Sequence, residues 1–343
     1  KFDALDNSLR RINKEARDGR RDVGRYATAW RGAQSALGAV GITVGIGFAL
    51  REGIQILDEY DDKIADIMKT TNLIKEDAKE LSGDLFNIDT KTSITNLQEL
   101  VVAGGRLNIK GKKDLLEFAE SADKVFVALG DDLGGSADEI ATSLGKISSN
   151  FGLEGEFDIA EGIEKVGSGI NELSAKSKAS AEPILDFTNR MAGLANVLEL
   201  SDVQALGAFF DEGGQSVEIA ATTMNKLLPN LAKNFEKFAD VAGKTPEEFK
   251  KIAEESPIEA LKLVAIGARN NEEGLFKLTE TLESFGIENA RATSIVGLLT
   301  DKTERLTELQ NLSSEAIDAN LSLTNEFNTK NETAIAQSNV AWR

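Results

Sequence analysis

Residues Asp114–Leu129 read DLLEFAESADKVFVAL, and the apolar residues of this stretch recur every three or four positions. That period places them along one side of an amphipathic α-helix. The side chains predicted to share this face are Leu115, Phe118, Ala119, Ala122 and Val125. No part of the chain alternates apolar and polar residues at the period of two that half-buried strands show. The stretch therefore favours an all-α protein.

The same pattern continues on both sides of this helix from about residue 58 to residue 290. Two further predicted stripes are Ile258, Leu261, Val264 and Ala265, and Leu275, Leu278, Leu282 and Phe285. Helix starts are predicted from capping patterns at Ser136–Glu139, Thr245–Glu248, Ser256–Glu259 and, less clearly, Asn270–Glu273. Glycines that we expect to close helices are Gly83, Gly104, Gly105, Gly130, Gly213, Gly214, Gly243, Gly267 and Gly286. We expect about ten helices here.

Three regions follow from these patterns. Residues 1–57 are predicted to form a coiled-coil arm and an apolar helix, and residues 58–290 an all-α domain. The tract SAKSKASA at Ser174–Ala181 is predicted to be a mobile loop within that domain. Residues 291–343 are polar with sparse apolar positions, which predicts one extended C-terminal helix that continues past Arg343.

The composition excludes several classes of function. The chain contains no cysteine and no histidine, so it has no disulfide framework, no thiolate or imidazole ligand for zinc, and no Ser-His or Cys-His catalysis. The net charge is −18, although residues 1–33 carry nine basic and five acidic residues. An acidic body repels nucleic acid, so we expect no sequence-specific nucleic-acid binding. No enzyme activity, metal or cofactor is predicted.

A heptad register runs through the N-terminal residues, because apolar or small residues alternate at spacings of three and four from Phe2 to Gly47. This register predicts a parallel homo-oligomer. The predicted seam consists of Phe2, Leu5, Leu9, Ile12, Ala16, Val23, Tyr26, Trp30, Leu37, Val40 and Val44.

The register enters residues 32–50, which carry no charge and contain several glycines. One interpretation is a buried bundle helix whose small residues let neighbouring backbones approach closely. The other is a membrane segment, because nineteen helical residues span about 28 Å, close to the hydrocarbon thickness. Small residues four apart also suit helix packing in lipid. The candidate membrane residues are Gly38, Gly41, Ile42, Gly45, Ile46, Gly47, Phe48 and Leu50.

Two glycine-containing motifs approach known ligand loops without matching them. GGRLNIKGKK at residues 104–113 has the wrong glycine spacing for a phosphate loop, and Lys113 stands where a hydroxyl residue would bind magnesium. DDLGGSADE at residues 131–139 lacks the spacing of a calcium loop. We interpret the first as a basic turn between helices and the second as a turn followed by a helix cap. The carboxylate pairs Glu247–Glu248 and Glu254–Glu255 are interpreted as solvated helix faces.

The order of segments resembles the core region of phage tail tape measure proteins. A basic coiled-coil arm is followed by a glycine-rich apolar helix, by the acidic connector DEYDDKIADIMKTT (58–71) and by a helical domain. Three stretches of that domain are similar to segments of the family. They are ELVVAGGRLNIKGKKDLLEFAESADKVFVAL (99–129), SADEIATSLGKISSNFG (136–152) and FFDEGGQSVEIAATTMNKLLPNL (209–231).

The resemblance implies a structural virion protein that forms a trimer or hexamer in the lumen of the tail tube. It implies that helical length sets tail length during assembly in the host cytoplasm. The implied partners are tail tube and baseplate or tail-tip proteins, and the host membrane during genome delivery. The alternative that the apolar segment alone supports is a membrane-perturbing toxin or effector.

Overall fold

The computed structural model describes residues 62–153, 158–270, 273–286 and 290–332. These residues form sixteen α-helices and no strand, which confirms the all-α prediction for the described part of the chain. The chain divides into two units, residues 1–87 and residues 88–343. The predicted domain boundary at residue 57 lies outside the described residues.

The described part of the first unit contains two helices, α1 (62–71) and α2 (Lys75–Asp84), followed by one 3-10 turn. Ile64 and Ile67 of α1 are buried, as are Ala78 and Leu81 of α2. Asn72 lies between the helices with a φ of 59°. This left-handed conformation, which asparagine tolerates better than most residues, separates the two helices.

The second unit contains fourteen helices, which we number α3 to α16. The first six are α3 (Ile94–Arg106), α4 (Lys112–Leu133), α5 (Ala137–Asn150), α6 (Ile159–Lys176), α7 (Ala181–Met191) and α8 (Leu200–Glu212). The next six are α9 (Val217–Lys233), α10 (Phe235–Ala242), α11 (Pro246–Glu255), α12 (Pro257–Asn270), α13 (Gly274–Glu283) and α14 (Ala290–Asp301). The last two are α15 (Thr303–Ala319) and α16 (Ser322–Asn331).

The predicted apolar stripes become the core. The five stripe residues of α4 are all buried, as are the four predicted for α12. On α13, Leu278 and Leu282 are buried, whereas Phe285 after the helix is only partly covered. The period of 3.6 therefore identifies the buried face of these helices correctly.

Helix α6 is the centre of the first group of helices. It packs against α4, α5, α8, α15 and α16, and most of its residues are buried. Helix α3 packs on α4 and α5, and α7 packs on α8. Because α6 has neighbours on nearly every side, its sequence lacks the broad polar face of a surface helix.

Helices α9 to α14 form a second group, in which α12 contacts α9, α10, α11, α13 and α14. Aromatic rings fill part of its core. The ring of Phe238 lies 6.4 Å from that of Phe249 and 5.8 Å from that of Phe285, measured between centroids. Lys237 Nζ lies 5.0 Å from the centroid of the Phe285 ring, within the range of a cation–π contact.

The predicted caps have different outcomes. Thr245 starts α11 as predicted, because Glu248 N–H donates to its hydroxyl at 3.3 Å and its own N–H donates to the Glu248 carboxylate at 3.2 Å. Ser136 starts α5, and its N–H donates to the Glu139 carboxylate at 3.0 Å. The cap at Asn270 is wrong, because Asn270 ends α12 and α13 begins only at Gly274.

The glycines do not all end helices. Gly214, Gly243 and Gly286 follow helices with positive φ angles of 67°, 64° and 71°, as predicted. The prediction is wrong for five others that lie inside helices: Gly83, Gly104, Gly105, Gly130 and Gly267. At Gly104 a Cβ would lie 3.0 Å from Phe118 Cδ1, and at Gly267 it would lie 2.0 Å from the Val241 carbonyl oxygen. These two glycines let neighbouring helices approach closely.

The tract Ser174–Ala181 is not a loop over its whole length, since α6 continues to Lys176 and α7 begins at Ala181. The short connection between the helices is held by its backbone. Lys178 N–H donates to Glu212 at 2.9 Å and Ser180 N–H donates to Asp211 at 2.8 Å.

The prediction of one extended C-terminal helix from residue 291 is also wrong for the described residues. Residues 290–332 form three helices, with breaks at Lys302 and at Asn320, whose φ is 48°. Leu306 and Leu309 of α15 are completely buried, and α15 packs on α6 and α8. A sparse apolar stripe is sufficient here because polar side chains supply further contacts between α15 and its neighbours.

Candidate functional site

The residues predicted from the sequence to carry function all lie outside the described residues. This applies to the coiled-coil seam, which consists of Phe2, Leu5, Leu9, Ile12, Ala16, Val23, Tyr26, Trp30, Leu37, Val40 and Val44. It applies equally to the membrane candidates Gly38, Gly41, Ile42, Gly45, Ile46, Gly47, Phe48 and Leu50. Both assignments remain predictions.

Within the residues that the structure describes, no group of three or more acidic side chains is placed to hold a metal ion. In that same part of the chain, no helix is both long enough and apolar enough to cross a membrane. The carboxylates of Glu247, Glu248, Glu254 and Glu255 are exposed on α11, as expected for a solvated face.

The two glycine motifs are turns between helices. In the first, Gly104 and Gly105 belong to α3, and Ile109 N–H donates to the Gly104 carbonyl at 3.1 Å to end that helix. Arg106 forms an ion pair with Asp138 of α5. In the second motif, Gly134 and Gly135 follow α4 with φ angles of 66° and 88°. Both turns join helices of the first group.

The most developed arrangement of polar groups lies where α6 meets the junction of α15 and α16. We call it the polar seam, formed by Lys165, Ser168 and Asn171 of α6 with Ile317, Asn320 and Ser322. Lys165 Nζ donates to the Ile317 carbonyl at 3.2 Å, and Ser168 Oγ donates to Asn320 Oδ1 at 2.9 Å. Asn171 Nδ2 donates to Ser322 Oγ at 2.8 Å. The seam joins segments about 150 residues apart.

Each hydrogen bond of the polar seam gives a partner to a buried polar group, which would cost free energy if it were buried without one. Lys165 is 7% exposed and Ser168 is fully buried. The Ile317 carbonyl belongs to the last turn of α15, where carbonyl groups lack partners within the helix and a cation is favourable. Lys165 therefore stabilises the last turn of α15 and also holds this helix against α6.

A second contact of this kind lies on the side of α6 that faces α8. Gln204 of α8 is fully buried; its Nε2 donates to the Val166 carbonyl at 3.0 Å and its Oε1 accepts from Ser313 Oγ at 3.1 Å. A Cβ on Gly169 would lie 2.0 Å from Gln204 Oε1. The glycine leaves the space that the amide occupies.

Glu212 at the end of α8 joins two further segments. Its carboxylate accepts from Arg305 Nε at 3.0 Å and from Arg305 Nη2 at 2.8 Å, and also from the Lys178 N–H. The hydrogen bonds from Arg305 lower the pKa of the Glu212 carboxyl group and outweigh the opposing effect of burial. The bidentate geometry gives this ion pair a defined orientation.

Burial also affects carboxylates near these contacts. The pKa of Asp202 is raised by burial, against the hydrogen bond that Gln310 Nε2 donates to it at 2.6 Å. At Glu172 burial acts to raise the pKa, but hydrogen bonds from Lys176 and Ser322 lower it overall. These groups fix helices in place, and their partners are other side chains of the same unit.

The sequence patterns do not single out these residues. The signal was present in α6, where lysine, serine and asparagine interrupt the apolar positions of a helix that also contains three glycines. Such a helix has no broad solvated face, so its polar residues require partners elsewhere in the chain. The sequence does not indicate that the partners lie in α8, α15 and α16.

The family model described as phage-related minor tail protein matches residues 75–319, which is more than half of the 343-residue chain. The chain belongs to this family. The match starts at the first residue of α2 and ends at the last residue of α15. No curated protein and no solved structure matches the chain.

Membership in the phage-related minor tail protein family means that the chain has a structural role in a phage tail and a location in the virion. Its partners are accordingly other tail components.

Proposed function

We propose that this minor tail protein is a tail tape measure protein, which lies in the lumen of the tail tube and sets tail length during assembly. The observation that carries the proposal is the family match over residues 75–319, preceded by an uninterrupted heptad register from Phe2 to Gly47. A ruler needs an element whose length is proportional to its number of residues, and a coiled coil is such an element.

The described helices support separate roles for the folded unit and for the arm. The described residues between 88 and 332 form helices that pack on one another, so their number of residues is not converted into length. The measuring element therefore lies outside this unit, and the predicted coiled-coil arm is the candidate within this sequence. In this proposal the folded unit occupies one place in the tail while the arm extends.

Lengthening the arm without changing its heptad register tests whether the arm sets tail length. Two tandem copies of residues 2–29, inserted after Ala29, add about 56 residues and keep the heptad spacing. At about 1.5 Å per residue, the tail should become about 84 Å longer in electron micrographs. The control inserts the same number of glycine and serine residues between Gly134 and Gly135, two exposed positions of a turn.

The control insertion should leave tail length unchanged, because it does not lengthen a continuous helix. Unchanged tails after the heptad insertion, in particles that still assemble, would contradict the proposal that this arm measures length. A change of equal size in both variants would show that total chain length matters rather than helix length.

We propose that several copies associate through the arm, as a trimer or a hexamer. Replacing Leu9 and Ile12 with Asp places charges at two adjacent seam positions and should dissociate the oligomer. Multi-angle light scattering measures the mass of the assembly. A monomeric wild-type chain at high concentration would contradict the proposal.

We further propose that residues 32–50 enter the host membrane during genome delivery. The absence of charge over this length supports this step. Dye release from liposomes should occur with the wild-type chain and be lost in Gly41→Asp, since a carboxylate is costly in the bilayer. Dye release by a chain that does not become part of tails would favour the toxin alternative.

A further inference from the structure

Helices α15 and α16 follow each other in the chain but are attached to the unit in different ways. Helix α15 buries Thr303, Leu306, Leu309, Ser313 and Ala316. In α16, all of which the structure describes, Leu323 alone is buried. Apolar burial stabilises packed helices, so α15, with Leu306, Leu309 and Ala316 buried, has a larger apolar attachment than α16.

Leu323 occupies a narrow seat between α4 and α6. A Cβ on Gly167 of α6 would lie 3.3 Å from Leu323 Cδ1 and 3.0 Å from Val125 Cγ2 of α4. Gly167 thus provides the space in which these two side chains meet. Phe327, one turn further along, is only partly covered, and Leu321 before the helix is 60% exposed.

Polar groups at the two ends of α16 supply the other contacts. At its start, Ser322 accepts from Asn171 and donates to the Glu172 carboxylate at 2.8 Å. At its end, Lys330 Nζ donates to the Ala128 carbonyl at 2.6 Å, and Asn331 Oδ1 accepts from the Lys91 N–H at 3.1 Å. Such hydrogen bonds exchange readily with bonds to water, so their net contribution is modest.

Two residues, Asn320 and Leu321, separate the two helices. Asn320 has a φ of 48° and ends α15 in the left-handed conformation, with its side chain held by Ser168. The family match ends at Ala319, immediately before this residue. The left-handed backbone at Asn320 and the end of the family match at Ala319 therefore divide the chain at the same place.

We infer that α16 is a strap that opens at Asn320 as a unit while α3 to α15 stay folded. Opening removes Leu323 from its seat, uncovers Val125 and Gly167 between α4 and α6, and frees the chain after Ala319 to leave the unit. The strap is a conformational device of the fold and does not depend on the tape-measure proposal.

Hydrogen exchange of the whole wild-type chain, measured by mass spectrometry, tests the strap without any substitution. Amides of α16 should exchange at least about 100-fold faster than those at the centre of α15, and their exchange should change little with low urea concentrations. Equal rates and equal urea dependence in the two helices would mean that α16 opens only when the unit unfolds, which would overturn the inference.

Substitutions at the end of the strap sharpen the test. Lys330→Ala and Asn331→Ala each remove a contact to the rest of the unit, and together they should speed exchange in α16 by about 10-fold. Exchange in α4 and α15 should not change. The matched control is Thr329→Ala, because the Thr329 hydroxyl donates only to the Asn325 carbonyl of its own helix and is exposed.

Thr329→Ala should leave exchange in α16 within about twofold of wild type. If Thr329→Ala accelerates exchange in α16 as much as the double substitution does, contacts within the helix rather than its attachment to the unit control opening, and the inference fails. If the double substitution accelerates α4 and α15 equally, α16 is an integral part of the core, and the inference fails as well.

Discussion

Helices α6 and α12 each lie at the centre of a group of helices, and each contains glycine where a neighbour comes close. In α6 the groups opposite the glycines are side chains: Ser148 at Gly162, Val125 and Leu323 at Gly167, and Gln204 at Gly169. In α12 the group opposite Gly267 is backbone, the carbonyl of Val241 at 2.0 Å from an added Cβ. A side chain can be shortened by substitution, whereas a carbonyl cannot. The two helices should therefore respond differently to the same change.

The largest effect is expected at α12. Gly267→Ala places a methyl group against the Val241 carbonyl, so α10 and α12 must separate, and we expect a loss of about 3 kcal/mol in the free energy of unfolding. Urea denaturation followed by circular dichroism measures it. Adding Val241→Ala should not restore stability, because the obstacle is main chain. Restoration by that second substitution would break the distinction between the two helices.

A smaller loss is expected at α6, and it should be reversible. Gly169→Ala forces Gln204 away from its partners at Val166 and Ser313, which we expect to cost about 1–3 kcal/mol. Gln204→Ala alone also destabilises, since Val166 and Ser313 lose a buried partner. Together the two substitutions should cost less than their sum by at least about 0.5 kcal/mol, as a double-mutant cycle would show. Strict additivity would contradict a direct contact.

The glycine contacts carry no charge, so they should not respond to pH, in contrast to the ion pair of Glu212 with Arg305. Folding lowers the pKa of Glu212, so the pair stabilises the protein above the ordinary carboxyl value of about 4.3 and loses its effect as the pH falls below it. Glu212→Gln should lower stability by about 1 kcal/mol at neutral pH. The free energy of unfolding of the Glu212→Gln variant should fall less steeply than that of wild type between about pH 5 and pH 3.

The control for the pH prediction is Gly169→Ala, whose stability should fall with pH in parallel with wild type. If Glu212→Gln and wild type show the same slope over this range, the Arg305 contact does not lower the pKa of Glu212 in the folded state.

The smallest effect has the opposite sign. Gly297 lies inside α14 with no atom within 4 Å of an added Cβ. Gly297→Ala should therefore stabilise the protein by about 0.5–1 kcal/mol, because alanine restricts the unfolded chain and favours helix. It is also the matched control for Gly267→Ala, and a loss of stability at both positions would show that glycine is required for a reason other than packing space.

Much of the local structure was predictable. The apolar period identified the buried faces of α4 and α12, and the Thr-Pro-Glu-Glu pattern identified the start of α11. These features depend on residues close together in the chain. The candidate functional residues of the arm lie outside the described residues, and the polar seam was not predicted, because its partners are about 150 residues apart.

The sequence by itself determined that the described part of the chain is helical, where α5, α11 and α12 begin, and which faces of α4 and α12 are apolar, since propensity, capping and periodicity act within a few residues. Only the tertiary structure decided whether a glycine ends a helix, as Gly243 does, or admits a neighbour, as Gly267 does. Glycine lacks a Cβ in both situations, and the sequence around it does not record what stands opposite. Only the tertiary structure showed that residues 290–332 form three helices that pack within the unit. Their few apolar residues are sufficient because Lys165, Gln204 and Glu212, which lie far away in the sequence, supply polar contacts to them.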